Sequence, residues 1–247
     1  MLISLLFFPL FSKVYLDNAA TTFCDEQVLW VMNQLYRRKL GNPHSNHCKG
    51  REAYLEITKA AEILKTCTKG QHVIWTSGAT ESNNIAILCP AEEGKTITCV
   101  TEHKSILAPV EHLRNTVFIE VDCHGKIDMN TLKRYINKGT RLVSVMMVNN
   151  ETGVIQPIAE IGALCRQHDV LFHVDAAAAF GKMDINMEKL GIDMLTISGH
   201  KIYGPQGIGA LILSQNGFDA LVNPILFGGL SHDRIRPGTL PTVLCAG

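Results

Sequence analysis

The chain lacks any excess of charge of one sign, because its 23 lysines and arginines are matched by 23 aspartates and glutamates. No broad basic field exists to attract nucleic acid, so this class of partner is set aside. A bilayer-spanning run is also missing: the apolar run at residues 1–11 is too short to cross a membrane. It lacks the charged start and cleavage site of a secretory signal, and no membrane partner is expected.

Metal-binding cysteine patterns are missing too. The eight cysteines form no CxxC pair and no His/Cys cluster with zinc-ligand spacing, so no metal site is predicted. In a chain of this length, scattered cysteines are typical of reduced, buried side chains. We therefore expect a reducing compartment, the cytoplasm, with the mitochondrion as the alternative.

The chain alternates short β-branched runs with helical stretches, which indicates an α/β fold with a mostly parallel sheet sandwiched by helices. The predicted strands cover residues 72–76, 96–101, 117–121, 142–148, 170–174, 193–197 and 208–213. The predicted helices cover residues 25–39, 51–67, 81–88, 104–114, 128–137 and 157–168. Residues 14–247 are predicted to form one large domain, preceded by an apolar extension at residues 1–13.

Polar clusters follow five of the predicted strands, where ligands bind in open α/β sheets. They are residues 77–80, residues 101–103, residues 149–150, Asp175 and residues 198–201. The sequence therefore predicts one shared site at the carboxyl edge of the sheet.

The segment Ser77-Gly-Ala-Thr80 passes from a strand into a helix. Its backbone N–H groups, the positive end of the helix dipole and the Thr80 hydroxyl suit an anion. Ser77 or Thr80 as a simple helix cap is the alternative, and for the isolated segment it is favoured. The G-x-x-x-x-G-K-[ST] pattern of a nucleotide P-loop does not occur.

Asp175 and Lys201 carry the charges of the predicted site. A carboxylate at the end of an apolar strand needs a cationic partner, for which a protonated pyridine nitrogen is suited, or it caps the next helix. A lysine at a buried strand end loses solvation and becomes a nucleophilic amine. An exposed loop lysine is the alternative to this interpretation.

The remaining candidates have modest signals when taken singly. His103 suits ring stacking and proton transfer, Asn150 suits a hydrogen bond to a phenolic oxygen or a substrate, and Ser198 and His200 suit donation to a phosphate. Capping or core packing for His103, and a turn for Asn150, remain open as alternatives.

Together these segments resemble the cysteine desulfurase and selenocysteine lyase family of class V, fold-type I pyridoxal-phosphate enzymes. The resemblance runs from Tyr15 to Pro241 and so covers nearly the whole chain. Its motifs are Tyr15-Leu-Asp-Asn-Ala-Ala-Thr-Thr22, Gly41-Asn-Pro-His44, Thr76-Ser-Gly-Ala-Thr-Glu-Ser82, Thr101-Glu-His103, Val148-Asn-Asn-Glu-Thr-Gly153, His173-Val-Asp175, Ser198-Gly-His-Lys-Ile-Tyr-Gly-Pro205 and Arg236-Pro-Gly-Thr-Leu-Pro241.

The resemblance implies that Lys201 is the Schiff-base lysine and proton shuttle and that Asp175 pairs with the pyridine nitrogen. It implies ring stacking and acid–base assistance by His103, and an O3′ or substrate contact by Asn150. Residues implied in the phosphate pocket are Ala79, Thr80, Ser198 and His200. Thr239 is implied to reach the phosphate of a neighbouring subunit, which predicts a homodimer.

The implied reaction removes sulfur or selenium from L-cysteine or L-selenocysteine and leaves alanine. The sulfur would supply iron–sulfur cluster assembly, through an acceptor or scaffold protein, and selenium would leave as selenide. The alternatives are a catalytically silent module that binds the cofactor or a subunit, and another class V enzyme of the aminotransferase kind.

Two departures from the family pattern stand out. Ala178 occupies the position of a glutamine that binds the cofactor's O3′ in the family. The tail that follows the Arg-x-Gly-Thr motif in the family is not in this sequence, so the C-terminal small domain is expected to be absent. No sulfur-accepting cysteine is assigned, and apolar surface that the small domain would cover is expected to be exposed.

Overall fold

The computed structural model describes residues 14–91, 93–229 and 235–247. The predicted apolar extension at residues 1–13 lies outside the described residues. The assignment of residues 14–247 to one large domain stays a prediction.

Seven strands form one sheet in the described chain, in the order β1-β7-β6-β5-β4-β2-β3. Strand β7 is antiparallel to β1 and β6, whereas the other neighbouring pairs are parallel. The strands are β1 His72–Thr76, β2 Lys95–Cys99, β3 Thr116–Ile119, β4 Thr140–Met146, β5 Leu171–Asp175, β6 Met194–Ser198 and β7 Gly209–Leu213.

Nine α-helices accompany the sheet in the described residues, together with a 3-10 turn at Gly199–Lys201 after β6. The helices are α1 Glu26–Arg37, α2 Cys48–Thr68, α3 Ala79–Leu88, α4 Lys104–Val110, α5 Met129–Tyr135, α6 Ile158–Gln167, α7 Met187–Leu190, α8 Gln215–Ala220 and α9 Thr242–Ala246. Polar side chains begin several of them: Asp25 accepts from the Gln27 N–H, and Asp128 accepts from the Asn130 N–H.

The sheet is covered on both faces, because alternate residues along each strand point to opposite sides. Val143 belongs to a core cluster with residues of α2, α5, α6 and α9, whereas its neighbour Leu142 belongs to a second cluster with residues of α3 and α4. Phe172 in β5 and Leu211 in β7 are fully buried on these two sides. This confirms the predicted α/β fold with a mostly parallel sheet between helices.

The carboxyl ends of β1, β4, β5 and β6 meet at one edge of the sheet because these strands run in the same direction. The antiparallel β7 begins at this edge, where Gly209 pairs with Thr76 on one side and with Ser198 on the other. The loops that follow the parallel strands and the loop that precedes β7 are thereby brought together.

Candidate functional site

A cavity of about 620 Å³ opens at this edge, a volume in the range of small-molecule sites. All five polar clusters predicted from the sequence contribute to its wall. Eight of the nine predicted site residues line it: Ala79, Thr80, His103, Asn150, Asp175, Ser198, His200 and Lys201. Ala20 and Thr21, which carried no prediction, line it from the N-terminal side of the described chain.

Lys201 ends the 3-10 turn that follows β6 and projects into the cavity. The turn is closed by Tyr203, at a positive φ of 64°, and by the Gly204 N–H, which donates to the Gly199 carbonyl. The Lys201 ammonium donates to the Ala19 carbonyl. Burial, followed by the charge of Lys182, lowers the pKa of Lys201, and Asp175 and Asp17 oppose that shift. The amine therefore gives up its proton more readily than a surface lysine does.

Asp175 ends β5 and is only 6% exposed. Its Oδ1 accepts from the Ala177 N–H at 2.9 Å, and its Oδ2 accepts from the Asn83 amide at 2.7 Å. Burial raises the pKa of Asp175, whereas these two donors and the nearby charge of Lys201 lower it. The carboxylate is held by donors on the protein side and faces a cavity that would favour a further cationic partner.

The start of α3 forms the wall beside β1. Gly78 precedes this helix at a φ of 155°, a conformation that favours glycine, and no side chain caps the first turn. The Ser77 side chain does not cap the helix, and the Ser77 backbone N–H donates to the Glu81 carboxylate at 2.5 Å. The N–H groups of the first turn, including those of Ala79 and Thr80, therefore remain available to an anion in the cavity.

Ser198 adds a buried hydroxyl to the same wall. It is 1% exposed, and its Oγ has no hydrogen-bond partner among the described residues. A buried hydroxyl left without a partner is costly, so this atom indicates a ligand in the cavity that accepts or donates a hydrogen bond.

His200 is positioned by the segment at residues 21–22. The Thr22 N–H and hydroxyl both donate to the His200 carbonyl, at 2.8 and 2.9 Å, and the imidazole Nδ1 lies 3.1 Å from the Thr21 hydroxyl. Burial, followed by the charge of Lys201, lowers the pKa of His200. The N-terminal motif of the resemblance thus holds the loop that carries Lys201.

His103 caps the start of α4, which was the alternative left open for it in the sequence, and it also lines the cavity. Behind it, Ser105 and Asn83 form hydrogen bonds that reach Asp175. Neither residue was predicted from the sequence, because each is a buried polar side chain on a helix and follows no strand. Glu102 lies in the predicted cluster at residues 101–103, for which only His103 was assigned a role; it is 5% exposed and accepts from the Met146 N–H at 2.8 Å.

Asn150 faces the cavity, while its neighbour Asn149 forms the turn: the Asn149 Oδ1 accepts from the N–H groups of Glu151 and Thr152 at 3.0 and 2.9 Å. Ala178 lines the cavity with a methyl group, so this position supplies no side-chain donor. The side chain that stabilises this turn is therefore that of Asn149, and the contact of Asn150 with O3′ or the substrate stays a prediction.

Thr239 lies away from the cavity wall, with its hydroxyl 3.5 Å from the Asn42 amide. Its implied contact with a neighbouring subunit stays a prediction. No helix in the described part of the chain is long and apolar enough to cross a membrane. No cluster of three or more His, Cys, Asp or Glu side chains suited to a metal ion occurs within the described ranges.

Comparison with known proteins matches residues 14–240 to the family described as "Aminotransferase class-V". A mitochondrial cysteine desulfurase of Eremothecium gossypii is 44% identical over 248 residues, which cover 95% of this chain and 50% of that protein. The cysteine desulfurase IscS of Rickettsia africae is 44% identical, with coverage of 95% and 60%.

A solved structure described as SspA in complex with cysteine superposes with a TM-score of 0.89 at 35% identity, and covers 95% of this chain and 70% of that one. The chain spans about half to three fifths of the length of the two curated relatives. Enzymes of this family depend on pyridoxal phosphate. The match over residues 14–240, in a chain with this sheet and this cavity, shows that the chain belongs to the class V aminotransferase family.

Proposed function

We propose that this chain is the pyridoxal-phosphate-binding large domain of a cysteine desulfurase, an enzyme that removes sulfur from L-cysteine and leaves alanine. The observation that carries the proposal is the pair formed by Lys201 and Asp175. The lysine amine and the buried carboxylate line the same cavity, and each shifts the pKa of the other.

The donor set of the cavity fits pyridoxal phosphate. The ligand's phosphate needs donors, which the first turn of α3, the Ser198 hydroxyl and His200 supply. Its ring nitrogen needs an anion, which Asp175 supplies, and its planar ring needs a flat partner, for which the imidazole of His103 is suited. Asn150 is suited to the phenolic oxygen, where Ala178 offers no donor.

Lys201 would attach the cofactor and afterwards move a proton at the substrate's Cα. Both tasks require a neutral amine, which the lowered pKa of Lys201 favours. When bound, pyridoxal phosphate supplies an aldehyde carbon and an electron-withdrawing ring. Asp175 would favour a protonated ring nitrogen by charge attraction, and its own two protein donors hold the carboxylate in place.

L-cysteine is the proposed substrate because two relatives are named cysteine desulfurase and one matching structure is described as a complex with cysteine. L-selenocysteine is the second candidate, since no described residue of the cavity distinguishes sulfur from selenium.

We also propose a homodimer and a sulfur-acceptor or scaffold protein as partners. A location in the cytoplasm or the mitochondrion is proposed, and the mitochondrial relative supports the latter.

The test is alanine release from L-cysteine by the purified chain with added pyridoxal phosphate and dithiothreitol, which frees the sulfur as sulfide. Alanine and sulfide are expected in equal amounts. The variant Lys201→Ala should lower alanine release by at least about a thousandfold, because the amine acts in both attachment and proton transfer. Lys189→Ala, which removes a lysine from the distant helix α7, is the matched control and should retain full activity.

Three other results would contradict the proposal. Background release that Lys201→Ala does not lower, in a protein that binds the cofactor, would favour the catalytically silent module. A keto acid in place of alanine would favour an aminotransferase-like enzyme. Release from L-selenocysteine alone would assign the selenium reaction.

A further inference from the structure

A chain of hydrogen bonds joins two groups that line the cavity, namely Asp175 at the end of β5 and His103 at the start of α4. Asn83, on the inner face of α3, donates from its amide nitrogen to Asp175 Oδ2 at 2.7 Å and to Ser105 Oγ at 2.8 Å. Ser105 Oγ lies 2.8 Å from His103 Nδ1. Asp175 and His103 are thus connected through Asn83 of α3, which lies behind the cavity wall, and through Ser105 of α4, which lines the cavity.

The direction of each bond follows from the donors. The Ser105 backbone N–H donates to His103 Nδ1 at 3.1 Å, so this nitrogen accepts and carries no hydrogen. The ring hydrogen is therefore on Nε2. The Asn83 amide nitrogen can only donate, so Ser105 Oγ accepts from it, and the serine hydrogen is directed to His103 Nδ1.

Burial makes this arrangement costly to break. Asn83 is fully buried, so a donor there that loses its partner is not rescued by water, whereas Ser105 is 7% exposed and lines the cavity. Asn83 uses both amide hydrogens in the chain, while its Oδ1 has no partner among the described residues. The amide is thus oriented for donation toward Asp175 and Ser105.

We infer that Asn83 is a positioning residue. It orients the Asp175 carboxylate directly and, through Ser105, fixes the imidazole of His103 as its Nε2–H tautomer. Its meaning for catalysis rests on the proposed function, in which Asp175 receives the ring nitrogen and His103 receives the ring face. Asp175 would then offer an acceptor, and His103 would offer its Nε2–H as a donor, to a ligand in the cavity.

The test reads the tautomer of His103 directly, in protein without added pyridoxal phosphate. Long-range ¹H–¹⁵N correlation spectra of histidine-labelled protein distinguish the two tautomers, and the variant His103→Gln identifies the His103 signals. Wild type should show the Nε2–H form in large excess over a minor Nδ1–H form. Ser105→Ala removes one of the two donors to His103 Nδ1. Asn83→Leu removes the donor to Ser105 Oγ, which can then accept a hydrogen bond from a protonated His103 Nδ1. Each variant should therefore raise the Nδ1–H population on the order of fivefold.

Two controls separate this effect from general damage. Asn84→Leu changes the neighbouring asparagine of α3, whose amide donates to the Thr80 carbonyl of the same helix, and should leave His103 unchanged. Ser105→Thr keeps the hydroxyl and should restore the wild-type tautomer. The buried His173, bonded to Ser144 and Thr196, reports in the same spectra that the fold is intact.

A His103 tautomer that is unchanged in both Ser105→Ala and Asn83→Leu would overturn the inference. If Asn83→Leu does not fold, Ser105→Ala with its threonine rescue decides the result. Because these spectra need no cofactor, a protein that fails to bind pyridoxal phosphate would refute the proposed function while the tautomer measurement still decides the inference.

Discussion

At the residue scale, Glu102 is a second carboxyl group close to Asp175. Burial raises the pKa of Glu102 well above its usual range; the Met146 N–H opposes this shift, and the charge of Asp175 adds to it. Its Oε2 has no partner among the described residues. Folding therefore favours the protonated form of Glu102, which limits the negative charge beside Asp175.

This protonation predicts a pH dependence of stability. Above a pH of about 4.5 the unfolded chain releases the Glu102 proton while the folded chain retains it, so the free energy of unfolding falls as the pH rises toward the folded pKa. The slope reaches about 1.4 kcal/mol per pH unit. Glu102→Gln keeps an acceptor for Met146 and does not titrate, so its advantage over wild type should grow with pH.

Denaturant unfolding of both proteins at a series of pH values measures this difference. Glu111→Gln, an exposed glutamate just after α4, is the control and should parallel wild type. Unfolding free energies of Glu102→Gln and wild type that stay parallel with pH would mean that Glu102 is ionised in the folded protein.

The residues that carry charge could be predicted from the sequence, because each follows a strand whose hydrophobic pattern is clear. Lys201, Asp175 and His103 are of this kind. Asn83 and Ser105 could not be predicted, since their hydrogen bonds depend on the packing of α3 and α4 against the strand ends. Glu102 lies within the predicted cluster at residues 101–103, but its bond to the Met146 N–H depends on pairing with another strand end. Thr239 remains a prediction that a single chain does not test.

At the element scale, the start of β7 is pressed against the loop before α3. A Cβ at Gly209 would lie 2.7 Å from Gly78 Cα and 2.8 Å from the Ile197 carbonyl oxygen. These atoms are backbone, so they can move away only if the strand or the loop shifts. The absence of a side chain at Gly209 therefore fixes the start of α3 against the sheet.

Gly209→Ala should displace the loop at Gly78 and weaken pyridoxal phosphate binding by about tenfold, since overpacking of this kind costs about 1–3 kcal/mol. Gly162→Ala is the matched control, because its Cβ would clash with the Leu190 carbonyl at the contact of α6 with α7, which contributes no residue to the cavity wall. Gly162→Ala should lower stability and leave the affinity of the folded protein unchanged. Titration with pyridoxal phosphate, followed by visible absorbance, measures the affinity of each variant. An equal loss of affinity in the two variants would contradict this role of Gly209.

The long elements could be predicted because their patterns are strong: β1 has the predicted bounds, and α1 and α6 differ from prediction by two residues or fewer at each end. Helix α4 was predicted to end at residue 114 but ends at Val110, with Pro109 in its last turn. Helices α7, α8 and α9 were missed because four to six residues are too few to show a helical period. The antiparallel direction of β7 is set by pairing between distant strands, which a hydrophobic run does not encode.

At the scale of the whole molecule, the parallel strands bring five separate segments to one cavity, and the family match covers the same residues. Large apolar side chains are exposed at residues 14–23 and along α1, including Leu16 at 84% and Trp30 at 64%. Exposed apolar surface of this kind is typical of faces that contact other protein segments. The expectation that the small domain would cover exposed apolar surface stays a prediction. The proposed homodimer is one partner that such surface suits.

The central claim is that Lys201 holds pyridoxal phosphate in this cavity. The most direct measurement is the visible absorption spectrum of the purified full chain after incubation with pyridoxal phosphate and removal of the free ligand. A visible band that is retained by wild type and by Lys189→Ala, and lost in Lys201→Ala, is the predicted result. A colourless wild-type protein, or a band that Lys201→Ala retains, would contradict the account.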